Sequence, residues 1–493
     1  MTPADLLPDP QLLPIGDGTP AADGGWIDGV RVNQVRRIVF PFDGTEIAAA
    51  ADGTVRVAEV AVDAAVAARG SMARLRSGVR RSILTEIGRI VAEHRDALIE
   101  LLVLETGKPQ VDCTVEVDRT ILTWTLAAEE PARLHGETVP LDLLPGSDGL
   151  IGYFTRRPAG VVVGIAGFNY PLMLASHKIA PALAAGCPII VKPAPATPLA
   201  TQWLVHRIRN VLAAEGVPRS AVQLITGDTE VGVALTTDPR VAVVSFTGSA
   251  AVGHAIARAC APRKALLELG SNAALVVCAD ADIDAAAGAI LRGGFYASGQ
   301  ACISVQRVIV EQSVYDTLVG KLLARLDEVT VGDPRDPATR VAALIDPAAT
   351  DRVLGTVKAA VDAGATILAG GRRQGTAIGP TVLADVPPDA DVWCEEIFGP
   401  VISIAAVPDV ATALRTVNES RYGLHAAVFT RSLATAHAAI DTLEVGGVVI
   451  NDVPGFRSDA MPYGGVKDSG IGREGPRWAV EEFTVTRMAV IRP

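Results

Sequence analysis

Residues 159–171 read Ala159-Gly160-Val161-Val162-Val163-Gly164-Ile165-Ala166-Gly167-Phe168-Asn169-Tyr170-Pro171. A short continuous apolar run, closed by glycine and followed by a proline suited to a first helical turn, predicts a buried strand feeding a helix. The pattern recurs. Strands are expected at 160–165, 188–191, 222–225 and 241–246, each ending in polar or Gly-rich residues and separated by helical segments. That alternation is the βαβ signature of a parallel sheet, whose ligands gather at the carboxyl ends of its strands. The expected fold class is α/β.

Upstream, residues 1–35 are rich in Pro, Gly and Asp and are expected to be loosely ordered. Residues 55–104 carry Ala, Arg, Glu and Leu at helical spacing, stopped at Glu105-Thr106-Gly107-Lys108-Pro109, and a second helix is expected over 115–132. Residues 136–153 are broken by Pro and Gly into short extended pieces, either an arm that packs on something else or an ordinary surface ribbon. Downstream, residues 272–451 form a second alternating α/β stretch, with a strand at 274–278 and a helix start at Asp280-Ala281-Asp282-Ile283-Asp284, and they warrant a domain of their own. The alternation of Phe483, Val485, Met488, Val490 and Ile491 predicts a closing strand.

At 493 residues, with 49% hydrophobic and 20% charged residues, the chain has room for two or three domains and an ample core. A net charge of -11 argues against a broad nucleic-acid footprint, because phosphate binding wants a basic surface. The six cysteines form no CxxC pair, which suits a reducing compartment, and the seven histidines show no metal-ligand spacing, so no metal is expected. With no signal-peptide pattern and no apolar run near the roughly 20 residues needed to span a bilayer, a cytoplasmic protein without membrane contact is expected.

Chemistry concentrates at the predicted strand ends. Cys302, in Gly299-Gln300-Ala301-Cys302-Ile303-Ser304, sits between a polar turn and an apolar run at 303–310 that looks like a strand entry. Backbone amides at such a junction can lower a thiol pKa, although a scattered cysteine is commonly a small buried hydrophobe. Asn169 is open to two roles: a helix cap, or an amide donor to an oxyanion, a role worth roughly 3 kcal/mol in transition-state stabilisation. Asn169, Met173 and His177 are spaced to share one helix face, which places His177 at a substrate entrance or in a packed interface. Lys192 either meets ribose hydroxyls or is a solvated charge. Gly248, Ser249 and Gly253 mark a strand-to-helix turn suited to a pyrophosphate, or Ser249 caps the helix. Glu268 is a lone carboxylate in an apolar strand, either a buried base of raised pKa or an outward residue of an edge strand.

Taken together, Phe168-Asn169-Tyr170-Pro171, Lys192-Pro193, Phe246-Thr247-Gly248-Ser249 with Gly253, Glu268-Leu269-Gly270, Gly299-Gln300-Ala301-Cys302, Glu396-Ile397-Phe398-Gly399-Pro400, Gly447-Val448-Val449-Ile450-Asn451 and Pro462-Tyr463-Gly464-Gly465-Val466-Lys467 resemble the aldehyde dehydrogenase superfamily, in the same order from about residue 105 onward. The resemblance implies a Rossmann-like cofactor domain (36–136 and 159–269), an α/β catalytic domain (270–470) and a small β oligomerisation arm (137–158 and 479–493) that builds a homodimer or homotetramer. It implies that Cys302 attacks an aldehyde, that the Asn169 amide and the Cys302 backbone N–H hold the oxyanion, and that Glu268 activates the hydrolytic water. For the cofactor, NAD or NADP, it implies Lys192 at the adenine ribose, Ser249 and the 248–253 turn at the pyrophosphate, Glu396 at the nicotinamide ribose and Phe398 against the ring, with Phe168, Gly227 and Leu269 also along the site.

Departures sharpen the expectations. Many NAD-preferring relatives carry a glutamate where this chain has Pro195, so NAD and NADP are equally expected. Phe168 replaces a common Trp, and His177 stands where relatives with apolar substrates have an aromatic. With aromatic residues at 4%, the expected substrate is a small polar or anionic aldehyde, similar to those of lactaldehyde and semialdehyde dehydrogenases, with Arg457 meeting its anionic group. Arg119 and Arg292 are weaker candidates and are expected to be structural. A CoA-acylating relative and a non-catalytic binding protein of the same fold are the alternatives.

Overall fold

The computed structural model describes residues 6–7, 9–20, 26–27 and 29–493. Its first sheet runs Val222–Leu224, Ile189–Lys192, Val161–Ile165, Val241–Thr247, Lys264–Glu268 and Gly470–Ile471 from edge to edge. The first five strands are parallel, and the last returns antiparallel from far down the chain. Strand order reverses beside Val161–Ile165, the switch point where an open parallel sheet leaves a crevice. The strands are buried on both faces, as their unbroken Val/Ile runs require.

The second sheet orders Thr366–Ala369, Thr381–Ala384, Val401–Val407, Arg307–Glu311, Ala274–Val277, His425–Phe429 and Gly447–Ile450, all parallel except the first. The strand expected at 274–278 and the helix start at Asp282 are present, and the Asp282 side chain caps Ile283–Phe295 by accepting from Ala285 N. The long helical stretch at 55–104 is three helices, Val55–Arg74, Ser77–Glu93 and Arg95–Thr106. A fourth, Gln110–Arg133, lies along Pro171–Ala185, joined to it by Trp124 Nε1–H donating to Ser176 Oγ at 3.1 Å. No described helix is long and apolar enough to cross a membrane.

Two expectations are corrected here. The loosely ordered N-terminus, where it falls on described residues, is tied down: Leu12–Leu13 pairs with Val30–Arg31, and Leu13 and Ile15 join the main core. The backbone of Gly16 also bonds to Gln223 and Arg209. Two apolar side chains and a row of backbone bonds outweigh the Pro/Gly composition; residues 1–5, 8, 21–25 and 28 lie outside the described residues. The apolar run after Cys302 does not begin a strand, which starts at Arg307. Ser304 Oγ donates to the carbonyls of Gly293 and Gly294 and Val305 N to Gly293, so local bonds hold 301–306 as a loop.

The ribbon expected at the arm is formed by Ile151–Pro158 and Thr484–Ile491, paired over their whole length. A different pairing matters more for the site. Glu268 lies opposite Gly470, with Leu269 N donating to Ser469 O at 3.0 Å. A Cβ on Gly470 would lie 2.3 Å from the carbonyl oxygen of Leu267. Gly470→Val is therefore expected to push the two strands apart, cost roughly 1–3 kcal/mol and lower the thermal midpoint measured by calorimetry.

Candidate active site

A cavity of about 550 Å³ opens between the two sheets, and Asn169, Glu268 and Cys302 all line it. Each arrives from a different element. Asn169 leaves the Val161–Ile165 strand, Glu268 ends the Lys264–Glu268 strand, and Cys302 follows a turn in which Ala297, Ser298 and Gly299 have φ of 49°, 56° and 72°. Two consecutive non-glycine residues in the left-handed region are costly, of the order of 1–3 kcal/mol each, and persist where surroundings enforce them. Those surroundings are explicit. The Asp112 carboxylate accepts from Ala297 N, Ser298 Oγ exchanges bonds with the Ala342 backbone, and a Cβ on Gly299 would lie 2.1 Å from Gly399 O.

The open role of Asn169 narrows geometrically. Asn169 does not cap the following helix; the Glu116 carboxylate does, accepting from Leu172 N and Met173 N at 2.9 and 3.2 Å. Asn169 Nδ2 instead donates to Gln300 O at 2.9 Å, two residues before Cys302. Glu268 is 5% exposed, so it is not an outward edge residue, and neither carboxylate oxygen has a hydrogen-bond partner. Burial, and after it the nearby Glu474, raises its pKa well above the usual range against the pull of Arg457, Lys178 and Arg473. Burial also pushes the Cys302 thiol up to about 11, although a contact of 3.1 Å with the Tyr463 hydroxyl works in the opposite direction.

Phe168, Gly248, Ser249, Leu269, Glu396 and Phe398 line the same cavity, whereas Lys192, Gly227 and Gly253 stand outside it. Lys192 ends its strand 6% exposed, Gly227 lies in the turn after Val222–Leu224, and Gly253 is packed on Leu269, where a Cβ would meet Cδ2 at 2.2 Å. That packing draws Ala250–Cys260 against the sheet. Ser249 occupies its N-cap position without a side-chain cap bond, leaving an uncapped helix N-terminus beside the cavity that fits a dinucleotide pyrophosphate. The Phe168 and Phe398 rings meet edge to face at 5.6 Å, and Glu396, pushed up to about 7 by burial, accepts from Ser271 N.

Met173 and Arg457 line the cavity, but His177 does not. The helix begins at Pro171, is buried on all sides, and turns His177 toward Glu474 and Asp459, at 3.2 and 3.0 Å. Arg119 and Arg292 reach the wall of the cavity, each spent on a carboxylate, Asp459 and Asp452 respectively.

Part of the wall belongs to a network that sequence reasoning did not assemble, with Glu474 at its centre. Glu474 accepts from Lys178 Nζ at 3.0 Å and from Arg457 Nη2 at 3.3 Å, and it also bonds His177. Burial opposes its charge, but Lys178, then His177 and Arg457, outweigh it and hold Glu474 well below the usual carboxylate range. Tyr463 and Glu474 exchange backbone bonds, and the Arg457 guanidinium lies 3.6 Å from the Tyr463 ring centroid. Tyr463 was visible only as part of a glycine-rich motif, and Lys178 and Glu474 carried no local signal. Glu474→Leu would strand Lys178 and Arg457 without their carboxylate; it is expected to cost roughly 3–5 kcal/mol in denaturant unfolding.

Comparison with known proteins agrees with this geometry. Residues 26–489 match the model of the aldehyde dehydrogenase family. The 3-sulfolactaldehyde dehydrogenase of Priestia aryabhattai is 39% identical over 413 residues, covering 84% of this chain and 86% of its own. Among solved structures, aldehyde dehydrogenase 21 of Physcomitrella patens, in complex with the reaction product succinate, superposes with a TM-score of 0.91 at 35% identity, covering 97% and 98% of the two chains. The glyceraldehyde-3-phosphate dehydrogenase of Methanocaldococcus jannaschii, complexed with NADP, gives 0.89 at 35% identity, with 93% and 100% covered. A cavity shared by an amide, a carboxylate and a thiol, in a chain matched along nearly its whole length, means that this protein belongs to the aldehyde dehydrogenase family of oxidoreductases.

Proposed function

We propose that the protein oxidises a small anionic aldehyde to its carboxylic acid with NAD or NADP, using Cys302 as nucleophile. The observation that carries this reading is the convergence of Asn169, Glu268 and Cys302 on one cavity. The Cys302 thiolate adds to the carbonyl carbon, forming the C–S bond while the π pair moves to oxygen. The oxyanion meets the Asn169 amide and the Cys302 backbone N–H. Nicotinamide, when bound, supplies the hydride acceptor that converts the adduct to a thioester. Glu268 then takes a proton from water, the resulting hydroxide attacks the acyl carbon, and the acid leaves with the thiolate restored. The raised pKa and unpartnered oxygens of Glu268 suit a base that works on a transient water, which favours water over CoA as acyl acceptor.

Residues 36–136 with 159–269 are assigned to the cofactor lobe and 270–470 to the catalytic lobe, with Lys192 at the adenine ribose and the 248–253 turn at the pyrophosphate. The 2′ position of the ribose is served by no carboxylate at Pro195, which leaves room for either dinucleotide. The ribbon of 137–158 and 479–493 exposes Ile151, Val490 and Ile491, a surface suited to a second copy in a homodimer or homotetramer in the cytoplasm.

Arg457 supports the substrate class. It lines the cavity, is nearly buried, and has an Nε without a hydrogen-bond partner, with the Asp459 carboxylate 4.0 Å away. Relatives named for sulfolactaldehyde and for glyceraldehyde 3-phosphate, and one holding succinate, all involve molecules with an anionic group. Purified protein is expected to reduce NAD or NADP with short anionic aldehydes, at a rate unchanged by added CoA. Cys302→Ala is expected to abolish turnover, and Asn169→Ala to lower kcat roughly 100- to 1000-fold. Glu268→Gln should release a burst of reduced cofactor without steady turnover. Arg457→Met should raise KM for an anionic aldehyde far more than for a neutral one of equal length. Absence of turnover with every such aldehyde would remove the reading.

A further inference from the structure

Tyr463 belongs to none of the roles assigned above, yet among the described residues its hydroxyl is the side-chain group shown in hydrogen-bond contact with the reacting sulfur. Its hydroxyl lies 3.1 Å from Cys302 Sγ, inside a small apolar cluster of Ile303, Leu424 and Tyr463 with Cys302 packed against it. The ring is 2% exposed and clamped. Arg457 covers it at 3.6 Å, and the His425 ring meets it at 5.1 Å and 62°. His425 is itself fixed, with Nδ1 at 2.9 Å from Pro454 O, and burial lowers its pKa to about 4, so it packs as a neutral ring that donates through Nδ1. Backbone bonds from Tyr463 to Glu474 in both directions hold the residue from behind.

Two partners are conceivable for a phenol touching a thiol: an acceptor that takes the thiol proton, or a donor that stabilises the thiolate. The surroundings decide. Burial, then the neighbouring sulfur and Glu268, push the phenol pKa well above 10, so it keeps its proton and acts as a donor. The cation over its ring draws electron density from the phenol and strengthens the O–H as a donor. We infer that Tyr463 is a catalytic residue whose hydroxyl donates a hydrogen bond to the Cys302 thiolate and that Arg457, stacked on the ring, reinforces it. Cys302 loses its proton to water entering the cavity or to the Glu268 carboxylate on the same wall, and the bond to Tyr463 is what keeps the resulting charge tolerable in a cavity that otherwise disfavours it. The hydroxyl yields the sulfur once a C–S bond has formed and the negative charge has moved to oxygen, so its help is spent on the resting nucleophile.

This inference rests on Cys302 being the nucleophile, and its test is separable from that assignment. Cofactor-free protein is treated with iodoacetamide across a pH series, and carbamidomethylation of the Cys302 peptide is followed by mass spectrometry, apart from half-buried Cys394 and the four buried cysteines. A hydrogen bond to a charged group predicts that Tyr463→Phe raises the apparent pKa of alkylation by about one unit, roughly tenfold slower labelling at a fixed pH below both values. An unchanged or lowered value overturns the inference, even if Cys302→Ala still abolishes turnover. Thermal midpoints of the variant and the parent are compared alongside. If the variant does not fold, growth with ring-fluorinated tyrosine makes the phenol a stronger donor at almost constant volume. The expected result is a lowered apparent pKa, and an unchanged one counts against the proposal.

Discussion

A carboxylate taken out of water must be given donors or lose its charge, and Glu474 is the place where this protein meets that demand. Its donors come from both halves of the molecule: Lys178 and His177 from the helix that follows the central strand of the first sheet, and Arg457 from the loops after the second. Satisfying one buried charge thereby ties the helix Pro171–Ala185 to the loop that carries Arg457. Asp459 repeats the device, bridging His177 and Arg119; burial opposes its charge, but the bonds from those two partners hold it well below the usual carboxylate range. Tyr463, and through it Cys302, is held in place by this ionic lattice, bonded to Glu474 through the backbone and covered by Arg457. Glu268 is the exception, close to the lattice but bonded to none of it.

Sequence periodicity revealed much of the frame, because buried parallel strands are written as short β-branched runs; Val161–Ile165 and Val241–Thr247 lie within a residue of their expected ends. Local patterns misled where a distant group supplied what a nearby one was expected to. Asn169 had the right chemistry for a helix cap, but Glu116, a residue of Gln110–Arg133 more than fifty positions earlier, took the position and released the amide. The run after Cys302 had strand composition, yet Ser304 and Gln306 bond elsewhere and keep the backbone irregular up to Arg307. His177 had helical spacing with Asn169, but the helix starts after Asn169, so the shared face did not exist.

The site residues most legible in the sequence are those whose motif includes a glycine or proline, since backbone constraints leave marks in the sequence. Gly270 is legible in that sense: a Cβ there would lie 2.6 Å from the Glu396 carboxylate, so the glycine and the acid imply each other. Lys178 and Glu474 leave no such mark. Any lysine in an apolar helix reads as a surface residue turned outward, and only the fold shows that this one is sealed against a carboxylate some three hundred residues away.

The antiparallel pairing of Gly470–Ile471 with Lys264–Glu268 has a consequence for biogenesis. As the chain leaves the ribosome, the strand that carries Glu268 is synthesised about two hundred residues before its outer neighbour, and Ile151–Pro158 waits for Thr484–Ile491. Until then the growing lobe presents a bare, hydrogen-bond-hungry border, the kind of surface on which nascent chains stick to one another. The pocket is thus left incomplete until the segment that carries Tyr463, Gly470 and Glu474 has emerged to close the border.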